Sequence, residues 1–217
     1  MVLPSLTTRR APALLAGAAF LVVALLVVAG GALTPGYSHV SQYISELGAR
    51  GAPLEDVVRF AGFLPAGLLL LGFCVLAHRA LPRSRGATLG LAGMAVYAAG
   101  YLVAAVFPCD PGCRPAEPSL AQAIHNAAGL LGYLLAPPSL WTLARAARAW
   151  PAAGGLGIAG KLAAGCALVA LLTLSPTSAT VGLSQRLMEA AVLAWAVLCG
   201  LYIARGVPDG AASPGAR

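Results

Sequence analysis

Charge is scarce in this chain: 14 Lys or Arg and 7 Asp or Glu make up 10% of its 217 residues, where a soluble domain carries about a quarter. So little charge excludes an ordinary soluble globular fold. The basic surplus raises nucleic acid as a partner, but the arginines are scattered between apolar runs and never cluster with exposed aromatics. No nucleic acid is expected. The basic residues read instead as topology signals. No H-E-x-x-H, G-x-S-x-G, P-loop or G-x-G-x-x-G stands in the context its chemistry requires, so zincin, ordinary serine-hydrolase and nucleotide-binding readings have no motif behind them. Lysine occurs once among the 14 basic residues, at Lys161. With abundant Ala and Gly, that arginine bias points to a GC-rich bacterial genome.

Apolar sequence is what the chain has in excess, at 59% hydrophobic residues and a mean hydropathy of +0.83. Crossing about 30 Å of hydrocarbon as a helix takes roughly 20 residues. Six runs are long enough: Ala11 to Leu33, Val57 to Ala80, Gly86 to Phe107, Leu120 to Leu143, Leu156 to Leu174 and Leu183 to Ala204. The expected fold is all-α, a multi-pass bundle of six transmembrane helices over 11–205 with tails at 1–10 and 206–217. The first run exceeds the apolar core of about 7 to 15 residues of a signal peptide and no clear A-x-A site follows, so it reads as a retained helix. Pro65 predicts a kink one turn earlier in the second helix, and Pro137-Pro138 a loosened end to the fourth. Gly86, Gly90, Gly93 and Gly100, with Tyr97 and Tyr101 at i, i+4, read as a helix-packing face. Ser119 and Gln122 have the S-x-x-Q spacing of a capping box.

Orientation follows from where the positive charge lies. With the N-terminus inside, ten of the 14 basic residues fall on the inner side: Arg9, Arg10, Arg79, Arg83, Arg85, Arg145, Arg148, Lys161, Arg205 and Arg217. Six of the seven acids fall on the outer side: Glu46, Glu55, Asp56, Asp110, Glu117 and Glu189. Both termini are therefore expected in the cytoplasm, in a multi-pass protein of the inner or plasma membrane.

The unusual polar residues then converge on the outer side. Loop one, 34–50, supplies Tyr37, Ser38, His39, Ser41, Gln42 and Glu46; loop three supplies Asp110 between Cys109 and Cys113; helix four supplies His125 and Asn126; helix six supplies Gln185, Arg186 and Glu189. A helix over Tyr37 to Leu47 would put Val40, Ile44 and Leu47 on one face and His39, Gln42 and Glu46 on another, with Gly48 as its C-cap. This predicts a short amphipathic helix covering the bundle. Arg186 and Glu189, at i, i+3, could pair with each other. Polar groups below the interface must be paired or face a cavity, and this set can serve either as a structural network or as a ligand site. Cys109 and Cys113, in a turn outside the membrane, are disulfide candidates; Cys74, Cys166 and Cys199 read as small core residues.

Several of these residues carry a resemblance. Pro35-Gly36-Tyr37-Ser38-His39 through Ser45-Glu46-Leu47-Gly48, the Phe107-Pro108-Cys109-Asp110 turn, the His125-Asn126 pair and Gly182-Leu183-Ser184-Gln185-Arg186 resemble the bacterial membrane family called "domain of unknown function 998". The resemblance covers roughly residues 12 to 205. It implies a six-helix membrane protein and supplies no reaction. More loosely, Ser, His and Asp on one face resemble the seven-helix hydrolases of ceramides, from which this chain departs in helix number and in having too few histidines for their metal site.

The leading functional expectation is binding of a small molecule or lipid headgroup by Tyr37, Ser38, His39, Glu46, Asp110, His125, Asn126, Gln185, Arg186 and Glu189, in envelope sensing or as a partner of another membrane protein. One alternative is a lipid hydrolase or transferase, with His39 or His125 as base, Asp110 or Glu46 orienting it, and Ser41 or water as nucleophile. A transporter subunit is the second alternative, although no internal repeat is visible. No cofactor is expected. A metal held by His39 and His125 would need a third ligand from Asp110, Glu46 or Glu189.

Overall fold

The computed structural model describes residues 6–206. Six helices account for most of them: α1 Leu6–Leu33, α2 Leu64–Ala80, α3 Arg85–Val106, α4 Leu120–Ala146, α5 Gly154–Thr173 and α6 Val181–Ala204. All six are long and apolar enough to span a membrane, and the described residues contain no strand. This is a multi-pass integral membrane protein. The helix begun at Leu6 takes in Arg9 and Arg10, so only 1–5 of the first tail and 207–217 of the second lie outside the described residues.

Each helix packs on its chain neighbours and α6 closes back onto α1, so the bundle is a ring. The α6 helix also touches α2 and α4. Its span is the most enclosed, 56% buried against 22% for α1, and for that reason polar side chains on α6 meet protein rather than lipid. Outward-facing leucines such as Leu14, Leu21, Leu89, Leu162 and Leu172 are 60% exposed or more, the surface that hydrocarbon solvates and water would not. Between α3 and α4 the small-residue face is used as expected: a Cβ placed on Gly90 would stand 3.0 Å from the Ser139 carbonyl oxygen, so only glycine admits this approach.

Two prolines act differently. Ahead of Pro65 the chain runs as a π-helix over Val57–Phe63, and the Leu64 N–H reaches five residues back to the Arg59 carbonyl. Proline cannot donate to the carbonyl four residues before it, and widening the preceding turn is one way to rehouse the loose groups. The expected distortion is there. In α4, by contrast, the helix continues through Pro137-Pro138 to Ala146, and the Thr142 hydroxyl donates to the Pro138 carbonyl at 2.6 Å.

Loop one departs from expectation in detail. Its only helix is a five-residue 3-10 turn, Ile44–Gly48, shorter than Tyr37 to Leu47. Ile44 and Leu47 are buried on Val58, Phe63 and Ala105, whereas Val40 is 45% exposed. Hydrogen bonds within the loop draw its first half into turns instead: Ser38 N–H donates to Gln42 Oε1 at 2.7 Å and Tyr43 N–H to Glu46 Oε1 at 2.9 Å. Gly48 is the last residue of the 3-10 turn and Ala49 caps it.

Candidate functional site

The loops α1–α2, α3–α4 and α5–α6 share one end of the bundle, called here the first-loop side. Three polar clusters and a cavity lie there.

The first cluster fastens loop one onto α6. From α6, Arg186 donates through Nη1 to the Gln42 carbonyl at 3.1 Å, and through Nη2 to the Tyr37 hydroxyl at 2.6 Å and His39 Nδ1 at 3.0 Å. Tyr37 in turn donates to the Tyr43 carbonyl at 2.9 Å. Burial holds the Tyr37 phenol above its usual 10.0 although the guanidinium pulls the other way. The imidazole of His39 is held below 6.5, first by desolvation and then by the Arg186 charge. Gly182 makes the approach possible, because a Cβ there would lie 2.6 Å from the His39 carbonyl oxygen. The pair expected between Arg186 and Glu189 does not form; the two point to different partners.

The second cluster joins loop one to loop three. Gln42 Nε2 donates to Glu46 Oε2 at 2.8 Å, and Arg114 reaches Glu46 Oε1 at 3.4 Å, the Ser41 carbonyl at 3.2 Å and the Pro176 carbonyl at 2.9 Å. The Arg114 guanidinium also lies 5.4 Å from the Tyr43 ring centroid. Ser38 Oγ accepts from the Ser41 N–H.

The third cluster starts α4. Asp110 accepts from the Ser119 N–H and hydroxyl, both at 2.8 Å, and these bonds hold its carboxyl below 3.8. Ser119 Oγ accepts from the Gln122 N–H, but the reciprocal half of the expected capping box is missing. Gln122 turns to the Asp110 N–H at 2.7 Å and the Cys113 carbonyl instead, because Asp110 already occupies the Ser119 amide. Asn126 accepts from Gln122 Nε2 at 2.9 Å. A disulfide joins Cys109 to Cys113, with Cα atoms 5.0 Å apart.

Beneath these clusters lies a cavity of about 400 Å³, roofed by Tyr43, Ile44 and Ser45 and walled by α3, α4, Leu174 and Pro176 of the α5–α6 loop and the start of α6. At its deep end Glu189, 7% exposed, accepts the hydroxyls of three tyrosines. Tyr97 and Tyr101 both donate to Oε2, and Tyr133 donates to Oε1 at 2.8 Å. Gln185 extends the network to loop one: its Nε2 donates to the Tyr133 hydroxyl at 2.8 Å, and its Oε1 accepts the Ile44 N–H at 2.6 Å. His125 lines the same cavity with Nδ1 at 2.9 Å from the Phe107 carbonyl. A carbonyl only accepts, so the proton sits on Nδ1 and Nε2 is the ring's acceptor.

A family model described as "Protein of unknown function (DUF998)" matches residues 14–202. The chain belongs to this family. No curated protein and no solved structure matches it.

The DUF998 chain thus brings His125, Asn126, Gln185 and Glu189 to one cavity, and sets Tyr37, His39 and Arg186 in a strap beside it. Asp110 and Glu46 stand apart, each held by its own partners. No hydrogen bond joins either histidine to Asp110 or Glu46 among the described residues, so the oriented base of a hydrolase is not assembled. Nor, among the described residues, do three His, Cys, Asp or Glu side chains converge as a metal would require. Sequence reasoning assigned Tyr97 and Tyr101 to helix packing and passed over Tyr133. A signal was present, since three phenols placed inside apolar helices each need a buried hydrogen-bond partner.

Proposed function

We propose that this DUF998 protein binds an amphiphile, with its polar head in the cavity at Glu189 and its tail leaving sideways into the bilayer. The observation that carries the reading is the shape of the cavity. Its volume of about 400 Å³ falls in the usual range for ligand sites, roughly 300 to 1,000 Å³. Among its lining residues Asn126, Leu130, Arg114 and Pro176 are exposed, so it meets the surface between α4 and the α5–α6 loop. Leu130 lies ten residues into α4, about 15 Å from its start, at a depth where the neighbouring medium is hydrocarbon. A polar deep end at Glu189 and a side mouth that reaches Leu130 at hydrocarbon depth suit a head and a tail. The hydrolase alternative would rely on His125 Nε2 without a carboxylate to orient the ring.

Gly129 offers a direct test. It lines the cavity, and a Cβ there meets nothing within 4 Å, so Gly129→Leu starts its side chain in open space. The neutral amphiphile decyldimethylphosphine oxide, titrated by calorimetry below its micelle concentration, is expected to bind the variant at least tenfold more weakly than the wild type. Thermal stability should be equal or higher, because Gly to Leu gains about 0.5–1 kcal/mol of helix propensity. Unchanged binding in a folded Gly129→Leu protein would remove the reading.

The positive-inside pattern supports cytoplasmic termini, and hence a cavity in the outer half of a bacterial plasma membrane. A phosphatase reporter fused after Arg217 should stay inactive and a fluorescent-protein reporter there should be bright; the reverse result would invert the assignment.

A further inference from the structure

We propose that the head this cavity accepts is an organic ammonium group, bound against Glu189 among the rings of Tyr97, Tyr101 and Tyr133. The inference rests on the reading of the cavity as an amphiphile site and names the chemistry of its ligand.

The first observation is a buried carboxyl group with no cationic partner among the described residues. Glu189 lies eight residues into α6, about 12 Å below its start, and is 7% exposed. All three hydroxyls around it can donate to an ionised Glu189, and the Tyr133 hydroxyl, which accepts from Gln185 Nε2, has its own proton free to do so. A carboxylate offers about four acceptor positions. Three are taken, two on Oε2 and one on Oε1, so Oε1 keeps one free, and Glu189 lines the cavity. Hydroxyls carry no net charge, and among the described residues no Lys, Arg or His pairs with Glu189. Buried charges in a membrane are ordinarily paired. The nearby cation on α6, Arg186, is committed to loop one.

The second observation is the wall around that charge. Tyr97 and Tyr101 meet edge to face at 6.0 Å between centroids, while Tyr97 and Tyr133 at 5.9 Å and Phe63 and Tyr101 at 6.1 Å are tilted pairs. All four rings line the cavity. Aromatic faces attract cations within about 6 Å of the centroid, and cages of such rings select ammonium groups. A phenol that donates to a carboxylate is polarised towards phenolate, so its ring face becomes more negative. Carboxylate and rings therefore favour the same ligand. An anionic head at this depth would be repelled by Glu189, and a neutral one would gain nothing from the charge. The ammonium can belong to a membrane aminophospholipid or to a free alkylammonium, and the chemistry at Glu189 is the same.

The full chain in dodecyl maltoside, titrated with decyltrimethylammonium and with decyldimethylphosphine oxide, compares a cationic and a neutral head on one tail. Wild type is expected to prefer the cation at least tenfold, and Glu189→Gln to lose that preference while still binding the neutral probe. Because the buried substitution could impair folding, Tyr101 provides a second arm: Tyr101→Phe keeps the preference and Tyr101→Leu reduces it. If wild type binds both probes within threefold and Gly129→Leu weakens both, the ammonium inference fails and the amphiphile site stands. If Gly129→Leu changes neither, both fail. Native mass spectrometry after exposure to vesicles of equal phosphatidylethanolamine and phosphatidylglycerol separates the sources. Enrichment of the ethanolamine lipid supports a membrane ligand, and equal retention alongside the cation preference supports a free alkylammonium.

Discussion

Glu189→Ala is expected to destabilise the protein by about 2–4 kcal/mol, while Glu189→Gln costs about 1 kcal/mol or less. The alanine variant removes the acceptor of three phenols at once. A buried hydroxyl left without a partner costs about 1–3 kcal/mol. In membrane proteins the measured cost per bond is smaller, averaging about 0.6 kcal/mol, because groups find new partners. Three hydroxyls that shared one acceptor have few replacements nearby, since Gln185 is already engaged by Ile44 and Tyr133. Glutamine keeps an acceptor oxygen and nearly the same volume, so its effect isolates the charge. Single Tyr→Phe changes at Tyr97, Tyr101 or Tyr133 should cost about 1 kcal/mol or less each, as each leaves the carboxylate with two donors. Unfolding titrations in mixed micelles check the series. An alanine variant within about 0.5 kcal/mol of wild type would mean that the phenols repair themselves and that Glu189 does not hold α3, α4 and α6 together.

Arg186→Ala should release loop one from the bundle while the six helices persist. Its guanidinium satisfies the Gln42 carbonyl, the Tyr37 hydroxyl and His39, and lies 5.6 Å from the Tyr37 ring centroid. Bonds to a charged donor contribute about 1.5–3 kcal/mol where they are shielded from water; this site is part-exposed, so about 2 kcal/mol is expected for the segment. That corresponds to roughly 30-fold faster hydrogen exchange at the Ser38 and Gln42 amides. Exchange in α6 beyond the first turn should be unchanged. Acid acts in the same direction. The imidazole must be neutral to accept from Arg186, and its folded value is lowered from 6.5 by burial and then by that charge. Its contribution is therefore complete above pH 6.5 and is lost as the pH falls through the lower folded value. Loop-one protection factors in wild type, which take out the slower intrinsic exchange in acid, should fall over that window, and less so in Arg186→Ala, where only the burial effect remains. Exchange at Ser38 and Gln42 that ignores both the substitution and pH would show that other contacts hold the strap.

These two residues also mark where reading the sequence stopped. Arg186 and Glu189 sit three apart on one helix and look like natural partners, yet α6 is turned so that Glu189 faces α3 and α4 while Arg186 faces loop one. Tyr97 and Tyr101 were legible as one face of α3, but their hydroxyls find an acceptor 92 and 88 residues away. Asp110 was legible as a polar residue of loop three; that it would take the Ser119 amide, and so turn Gln122 away from the capping box, depended on how the loop folds back. The reduced helix in loop one has the same origin, because Gln42 and Glu46 satisfy backbone amides that a longer helix would have used.

By itself the sequence determined the six spans, the shared side of the three polar loops and the distortion ahead of Pro65. Those features follow from short-range chemistry, since a membrane helix must satisfy its backbone within its own segment and a proline disturbs only the turn before it. Only the tertiary structure decided which polar groups meet. That choice rests on how each helix is rotated about its axis, and rotation is set by packing around the ring. The ring places Tyr97, Tyr101 and Tyr133 around Glu189 and leaves a cavity beside them.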